Sequence, residues 1–321
     1  MRFVVLGAGA VGGVIGGRLR QFGHEVVLVA RGRHLEAIQS NGLTVVSASG
    51  TVTVDVHAVA DPVEAELRAG DVVILATKSQ DTEAALDSLA GAESRDFAVA
   101  CAQNGVRNEE SALRRFADVY GICVMAPTAH SDPGVVEAHS SPVSGILDVG
   151  RYPSGTDEVA ERIAEAFSDS TFVSVARPDI MRWKYRKLTM NLFNALQALV
   201  GRGSWPDDLV SAISHEGEAV LDAAGIDVVT REEDRERRGN LLTVSAAGTG
   251  ERSGGSSWQS LSRGLGSIET DYLNGEIVLL GRLNGVPTPA NALLQRLASR
   301  AARRKAPPGS LSPEDLLAML G

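Results

Sequence analysis

A glycine-rich turn close to the N-terminus is the first motif that could do chemistry. The residues Gly7-Ala8-Gly9-Ala10-Val11-Gly12 follow the apolar run Arg2–Leu6 and precede a stretch typical of a helix. In this context the first glycine permits a tight turn, the second lets the backbone approach a pyrophosphate, and the third lets helix and strand pack closely. The helix N-terminus adds a partial positive charge. The motif predicts dinucleotide phosphate binding; a glycine-rich turn that binds no nucleotide is the alternative.

The end of the second predicted strand, Glu25–Ala30, bears on which dinucleotide would bind. An enzyme that uses NAD usually has Asp or Glu there, which holds the ribose 2′-hydroxyl. Here the strand is followed by Arg31-Gly32-Arg33, without an acid. A guanidinium can form bidentate hydrogen bonds with a 2′-phosphate. We therefore expect NADPH (NADP+) as the cofactor, with Arg31 on its 2′-phosphate; a solvated arginine pair is the alternative.

A polar stripe lies on an otherwise apolar predicted helix, Ile180–Val200. Lys187, Asn191 and Asn194 are spaced i, i+4 and i+7, which places them on one helix face. A helix this apolar is mostly buried, so the stripe indicates a lined polar pocket; a narrow exposed face is the alternative. A partly desolvated lysine can donate a proton near neutral pH, and reduction of a carbonyl needs such a donor. Glu269, at the start of a later predicted helix, could orient the substrate or the lysine, although alone it would be interpreted as a surface residue.

The elements that position these residues fall into two parts. Short apolar strands alternate with helical segments up to about residue 176, which predicts a doubly wound parallel sheet. Alternating residues between Gly42 and Val59 predict an inserted hairpin, and Gly134–Ala138 with Ser144–Val149 a second strand pair. After Pro178 the strand signals vanish and helical periods follow. We expect a dinucleotide-binding Rossmann domain, 1–176, and an all-helical substrate and catalytic domain, 177–321.

Composition narrows the function classes. A chain of 321 residues is longer than one core usually grows, and its 44% hydrophobic and 22% charged residues are ordinary for a soluble globular protein. The net charge of −9 argues against a general nucleic-acid binder. The only cysteines, Cys101 and Cys123, lie in apolar strands, which favours buried thiols over a disulfide or a metal site.

The N-terminal stretch bears on the cellular location of the protein, and a later segment rich in glycine and serine predicts a loop. The uncharged stretch Phe3–Gly17 is too rich in glycine for a signal peptide, and no apolar run approaches the ~20 residues of a membrane span, so we expect a cytoplasmic protein. Glycines and serines from Gly248 to Ser257 predict a mobile loop. The oligomeric state stays open, with a homodimer as one option.

Taken together, several motifs resemble the ketopantoate reductase (2-dehydropantoate 2-reductase) family over nearly the whole chain. They are the turn Gly7–Gly12, Arg31, Thr77-Lys78, Gln103-Asn104-Gly105, Trp183-x-x-x-Lys187-Leu188-x-x-Asn191, Ser256-Ser257 and Glu269-x-Asp271-Tyr272-x-Asn274-Gly275. The resemblance implies an N-terminal Rossmann domain, a C-terminal helical domain like that of 6-phosphogluconate dehydrogenases, and an active site in the cleft between them.

The resemblance also implies roles for individual residues. Lys187 would be the proton donor, and Glu269 would hydrogen-bond near the reacting oxygen. Asn191 and Ser257 would contact the substrate, with Ser257 near its carboxylate. On the cofactor side, Lys78 and Asn104 would lie near the nicotinamide ribose and the substrate.

The chain departs from the family pattern on the substrate side. The family usually has a second asparagine eight residues after the lysine; here that position is Ala195, and the neighbouring Asn194 is turned by about 100°. The family's Ser-Ser-Met-x-x-Asp has Trp258 and Leu261 at its last two named positions, and Ile268 replaces the usual threonine. The pattern predicts NADPH-dependent reduction of 2-dehydropantoate to pantoate, in pantothenate and coenzyme A biosynthesis. Another 2-oxo acid or ketone is the alternative substrate.

A non-catalytic NADPH-binding sensor is a further alternative. It would keep the glycine turn and Arg31 without needing Lys187, Asn191 and Glu269 together, so their joint presence favours an enzyme.

Overall fold

The computed structural model describes residues 1–244 and 254–320; residues 248–253 of the predicted mobile loop lie outside the described residues. The chain forms two compact units. Unit 1 comprises Met1–Gln103, Arg107–Lys184 and the described part of Arg231–Arg252, and unit 2 comprises Asn104–Val106, Tyr185–Thr230 and the described part of Ser253–Gly321. No single cut in the chain separates these units, and the predicted boundary after residue 176 stays a prediction.

The described residues of unit 1 contain both strands and helices. The strands are β1 (Arg2–Leu6), β2 (Glu25–Val29), β3 (Leu43–Ser47), β4 (Gly50–Val54), β5 (His57–Val59), β6 (Val72–Leu75), β7 (Ala98–Cys101), β8 (Val119–Met125), β9 (Thr128–Asp132), β10 (Val135–Ala138), β11 (Ser140–Pro142), β12 (Gly145–Arg151), β13 (Phe172–Val173) and β14 (Leu242–Val244). The helices are α1 (Ala10–Gln21), α2 (Gly32–Asn41), α3 (Thr82–Ala90), α4 (Asn108–Leu113), α5 (Glu158–Ser168), the start of α6 (Ile180–Asn191) and α9 (Arg231–Arg238).

The main sheet has the strand order β13-β12-β8-β7-β6-β1-β2-β5. Its strands β1, β2, β5, β6, β7 and β8 run parallel, whereas β12 pairs antiparallel with β8 and carries β13 parallel to itself. A second sheet has the order β4-β3-β10-β9, and β3–β4 is the antiparallel hairpin predicted between Gly42 and Val59. The second predicted pair was wrong: β10 pairs with β3 and β9, and β12 joins the main sheet.

Burial on both faces explains why β1 lies inside the parallel sheet. Phe3 and Val5 pack with side chains of α1 and α5 on one face, and Val4 and Leu6 pack with side chains of α3 and α4 on the other. Successive strand residues point to opposite faces, so a run of apolar residues satisfies both cores. Full burial of each such side chain contributes about 1.5–3 kcal/mol.

The described residues of unit 2 are mainly helical. Besides the end of α6, its helices are α7 (Phe193–Val200), α8 (Asp207–Ala223), α10 (Ser256–Ser262), α11 (Asn274–Asn284), α12 (Pro289–Arg303) and α13 (Pro313–Ala318). A buried polar network joins three of them. Glu216 of α8 accepts hydrogen bonds from the backbone N–H and side chain of Asn291, and Asn291 accepts one from Asn274 at 3.0 Å.

The helix predicted over Ile180–Val200 is interrupted at Leu192, so α6 and α7 are separate helices. The interruption coincides with a hydrogen bond from Asn274 Nδ2 to the Leu192 carbonyl, at 3.0 Å. Because this donor comes from 82 residues away in the chain, the local apolar pattern could not predict it.

Both cysteines are free thiols in the interior, as predicted. Burial raises the pKa of Cys101 well above its usual value, which favours the uncharged thiol. In residues 1–244 and 254–320, no helix has the length and apolar character needed to cross a bilayer. The same residues contain no group of three or more His, Cys, Asp or Glu side chains arranged to hold a metal ion.

Candidate active site

The glycine-rich turn connects β1 to α1 in unit 1. The backbone N–H groups of Gly7 and Ala8 both donate to the Val29 carbonyl at 3.1 Å, which ties the turn to the end of β2. Gly7 has a φ of +102°, a conformation that favours glycine. At Gly12 a Cβ would lie 2.2 Å from the Gly7 carbonyl oxygen and 3.0 Å from the Val5 side chain, so only glycine fits.

The space in front of the turn is open. A Cβ on Gly9 would meet no heavy atom within 4 Å. Gly9 is the N-cap of α1, with no side chain capping the helix and no acid in its first turn. The first N–H groups of a helix have no intrahelical acceptor, so this end can receive phosphate oxygens. The turn therefore fits a dinucleotide pyrophosphate.

Two arginines flank the N-terminus of α2, directly after β2. Arg31 is its N-cap and Arg33 lies in its first turn, and both side chains are exposed. The first turn of α2 contains no acid. This end of β2 therefore presents positive charge where an NAD-binding strand would present a carboxylate.

The predicted cofactor-side residues Lys78 and Asn104 follow neighbouring strands. Lys78 is half-buried and precedes a short 3-10 turn after β6. Asn104 is half-buried, follows β7 by three positions, and belongs to unit 2. Within unit 1, Gln103 connects the end of β7 to the turn after β6, because its Nε2 donates to the Thr77 carbonyl at 2.9 Å and to Thr82 Oγ1 at 2.8 Å.

Lys187 and Asn191 lie one turn apart on α6, in the part that belongs to unit 2. Lys187 is half-buried and Asn191 is 4% exposed. Asn191 Nδ2 donates to Asn104 Oδ1 at 3.0 Å, which joins the polar stripe to the Gln103-Asn104-Gly105 turn. The structure thus brings together two predicted site residues that lie 87 positions apart.

Asn194 lies beyond the interruption, on α7. Its Nδ2 is 3.5 Å from Ser256 Oγ at the start of α10, and Ser257 beside it is buried. The predicted loop up to Ser257 was wrong at this point, because α10 begins at Ser256. Ala195, at the position where the family pattern has asparagine, is 1% exposed and packs in the apolar interior.

Glu269 is half-buried and begins a 3-10 turn, Glu269–Tyr272. The prediction that Glu269 opens the later helix was wrong, because α11 begins only at Asn274. The backbone of Leu273, with φ −112° and ψ −89°, breaks the helical run between the two. The side chain of Thr270, next to Glu269, is fully buried and its hydroxyl donates to Asn274 at 3.3 Å, which holds the turn against α11.

The structure contains a buried ion pair that the sequence did not predict. Lys184 Nζ lies 2.5 Å from Glu109 Oε1, and the two side chains are 2% and 0% exposed. The ammonium also donates to the carbonyls of Cys101 at 3.3 Å and Gln103 at 3.1 Å, at the end of β7. Lys184 is three residues before Lys187, but the sequence contains no signal that pairs it with a glutamate far earlier in the chain.

A cavity in unit 2 is separate from these residues. It has a volume of about 330 Å³, and its lining comes from α11, α12 and Asp271. None of the predicted site residues contributes to it.

Comparison with known proteins identifies the family of this chain. The family model for ketopantoate reductase PanE/ApbA matches residues 3–154, and the model for its C-terminal domain matches residues 179–302. The chain belongs to the ketopantoate reductase family. Its architecture, an α/β N-terminal part with a parallel sheet and a helical C-terminal part, is that of ketopantoate reductase structures, as predicted.

Individual ketopantoate reductases support this membership. The 2-dehydropantoate 2-reductase of Pyrococcus horikoshii is 30% identical, over 92% of this chain and 96% of its own. The crystal structure of a family member from Ralstonia eutropha JMP134 has a TM-score of 0.81 at 28% identity, covering 95% of this chain and 99% of that one. A D-mandelate dehydrogenase solved with NADH and anilino(oxo)acetate shares the fold, with a TM-score of 0.81 at 24% identity over 96% and 100% of the two chains. The chain is thus an oxidoreductase of the 2-dehydropantoate 2-reductase type.

Proposed function

We propose that this family member reduces the keto group of a 2-oxo acid with NADPH, and that 2-dehydropantoate is the first substrate to test. The observation that carries the proposal is the pairing of Asn191 with Asn104 beside Lys187 on α6. It combines an ordered amide pair, able to bind a polar substrate, with a half-buried lysine one turn away. Under this proposal the pathway is pantothenate and coenzyme A biosynthesis.

The cofactor assignment rests on the segments that follow the C-terminal ends of β1 and β2 in unit 1. The open glycine turn would hold the pyrophosphate, and Arg31 would bind the 2′-phosphate. Lys78 and Asn104 would contact the nicotinamide ribose, as the family resemblance implies. When bound, NADPH supplies a hydride to the carbonyl carbon of the substrate.

Lys187 is assigned the role of general acid. The carbonyl oxygen gains negative charge during the reduction and needs a proton, which the Lys187 ammonium can donate from Nζ. Before that step the same ammonium would stabilise the growing charge on the oxygen. Glu269 would hydrogen-bond in the region of the reacting oxygen and orient the substrate.

The remaining polar side chains would hold the substrate. Asn191 and Asn194 would bind its polar groups, and Ser257 would donate to its carboxylate. Each comes from a helix of unit 2, and Asn191 and Ser257 are buried, so their rotamers are restricted before a substrate arrives.

A second candidate is reduction of a different 2-oxo acid or ketone. Ala195 is the observation that favours it, because a buried methyl group replaces the amide of the family pattern and cannot bind a substrate hydroxyl. The D-mandelate dehydrogenase complex shows that a protein of this fold binds an oxo acid with an aromatic group.

A panel of 2-oxo acids, each assayed with NADPH and with NADH by the loss of cofactor absorbance, tests the proposal. We expect turnover of at least one 2-oxo acid and a preference for NADPH. Binding of NADPH without turnover of any member of a broad panel would instead favour the sensor function. Absence of binding to either cofactor would contradict the proposal as a whole.

A further inference from the structure

The imidazole of His34 contacts the glycine-rich turn and a second turn in unit 1. His34 lies in the first part of α2, three residues after Arg31. Its Nε2 is 2.7 Å from the carbonyl oxygen of Ala8, inside the glycine-rich turn. Its Nδ1 is 2.9 Å from the backbone nitrogen of Gly134, in the turn between β9 and β10.

These two partners define the protonation state of the ring. A carbonyl oxygen can only accept, so Nε2 must carry a proton; a backbone N–H can only donate, so Nδ1 must be unprotonated. The arrangement is therefore satisfied by the neutral Nε2–H tautomer. A second proton on Nδ1 would meet the N–H of Gly134 and break that hydrogen bond.

The turn that contains Gly134 is itself closely packed against α2. Gly134 has a φ of +78°, and a Cβ there would lie 3.1 Å from the Cβ of Ala37. Its carbonyl accepts from Thr44 N at 2.9 Å, which ties the turn to β3. The ring of His130 on β9 lies 4.2 Å from that of His34, centroid to centroid. His34 therefore connects the glycine-rich turn to the closely packed Gly134 turn, with its ring beside that of His130.

Among the described residues, few charged groups lie on the elements that pack around His34. The ring that faces His34 directly is His130, and Asp132 closes β9 just before the Gly134 turn. On the same helix are the exposed Arg33 and Glu36, with Arg31 as its N-cap. The other charged side chains on packed elements have partners elsewhere, namely Arg18 with Gln21, Arg20 with the Asp55 carbonyl, and Glu137 with His139.

We propose that His34 is a positioning residue for the cofactor: in its neutral form it holds the glycine-rich turn against the N-terminus of α2, and its protonation weakens NADPH binding. The inference rests on the proposed binding of NADPH by this turn and Arg31. The residue touches the backbone of the turn and not the reacting atoms, so its effect is on cofactor affinity.

The direction of the pH effect follows from the environment. Desolvation lowers the pKa of His34, and the hydrogen bond to Ala8 partly opposes this. Above the usual histidine pKa of about 6.5, His34 is neutral and makes both hydrogen bonds. The neutral form and these bonds are lost as the pH falls through the lowered pKa of His34. Affinity for NADPH should decline in the same direction.

The test measures NADPH dissociation constants by fluorescence at about pH 8 and about pH 5.5, for the wild type, His34→Gln and His34→Ala. In His34→Gln, the introduced amide can donate and accept near the same two positions but does not titrate. We expect the wild type to lose affinity at the lower pH relative to His34→Gln, by up to about tenfold, because a group that titrates below about 6.5 can lose no more than this. Titration of the NADPH phosphate affects both proteins equally and cancels in the ratio.

At the higher pH, His34→Ala should bind NADPH about tenfold more weakly than the wild type, and His34→Gln should recover most of that loss. The exposed His57 lies on β5 of the main sheet and supplies a control. The variant His57→Gln should bind NADPH as the wild type does at both pH values. Equal pH dependence in wild type and His34→Gln would overturn the proposal, even if His34→Ala fails to fold. Failure of the wild type to bind NADPH at any pH would instead contradict the cofactor assignment itself.

Discussion

At the scale of single residues, the amide pair of Asn191 and Asn104 would restrict which substrates the proposed site can bind. Because Asn191 Nδ2 donates to Asn104 Oδ1, the orientation of both amides is defined. A substrate that binds here meets groups already oriented, so less ordering entropy is lost on binding.

Lys187 is the proposed general acid, so its removal should lower turnover and leave cofactor affinity nearly unchanged. We expect Lys187→Ala to reduce kcat by about 10²–10⁴, the usual contribution of a positioned general acid. Lys187→Arg keeps the charge but not an acid of suitable pKa, so it should also be slow. Steady-state kinetics and NADPH fluorescence titration on the same samples check this. Normal turnover by Lys187→Ala would exclude it as the acid, and collapse of NADPH binding would move it to the cofactor site.

Arg31 should determine cofactor choice. Arg31→Ala removes a charged hydrogen-bond donor from the 2′-phosphate, so binding of NADPH should weaken by about 1.5–3 kcal/mol while binding of NADH changes little. The exposed Arg162 on α5 offers a control, since Arg162→Ala removes the same charge from unit 1 away from the turn. Equal affinity of the unmutated protein for the two cofactors would refute the assignment.

At the scale of elements, the Lys184–Glu109 pair joins α6 and α4 to the end of β7. Both side chains are in the interior, and the lysine also satisfies two carbonyls at the end of that strand. The strand end leads directly into Gln103, whose side chain bonds to the turn after β6. The pair therefore supports the carboxyl edge of the sheet, from which the Gln103-Asn104-Gly105 turn leaves.

Breaking this pair from one side should be costly. Lys184→Met leaves the Glu109 carboxylate buried without its cation, and we expect a loss of about 3–5 kcal/mol in the free energy of unfolding. The double variant Lys184→Met/Glu109→Gln removes the stranded charge and should recover part of that loss. Arg114→Ala breaks the ion pair between Arg114, the C-cap of α4, and Glu110, whose side chains are 68% and 36% exposed. It should cost less than about 1 kcal/mol. Urea unfolding followed by circular dichroism measures all three; a small effect of Lys184→Met would contradict the structure.

At the scale of the whole molecule, the predicted site residues divide between the two units. The glycine turn, Arg31 and Lys78 belong to unit 1, whereas Asn104, Lys187, Asn191, Asn194, Ser257 and Glu269 belong to unit 2. Under the proposed function, variants of the first set should act on cofactor affinity. Variants of the second set should act on turnover and on the Michaelis constant for the substrate, except that Asn104 variants should also weaken cofactor binding.

The departures from the family pattern belong to unit 2, so substrate selectivity should differ from the family norm while cofactor binding does not. With Ala195 in place of an asparagine, we expect kcat/KM for 2-dehydropantoate below about 10⁵ M⁻¹s⁻¹, or a higher value for a 2-oxo acid that lacks one hydroxyl. Competition between pairs of 2-oxo acids gives the ratio directly. A kcat/KM for 2-dehydropantoate above that value, and above every other substrate, would show that the departure does not matter.

The sequence by itself determined the features that depend on neighbouring residues. The Gly7–Gly12 turn between a strand and a helix, the arginine after β2 and the i, i+4 spacing of Lys187 and Asn191 are all local, since a few consecutive backbone conformations decide them. The alternation of strands and helices likewise predicted the α/β part, and the motifs together predicted the family that the comparisons confirmed.

Only the tertiary structure decided the pairings between distant segments. The antiparallel insertion of β12 beside β8, the contact of Asn191 with Asn104, the hydrogen bond of Asn274 that coincides with the break at Leu192, and the His34 and Lys184 contacts each join residues far apart in the chain. Such contacts form because buried polar groups must find partners wherever the fold brings them, and no local pattern records which partner that will be.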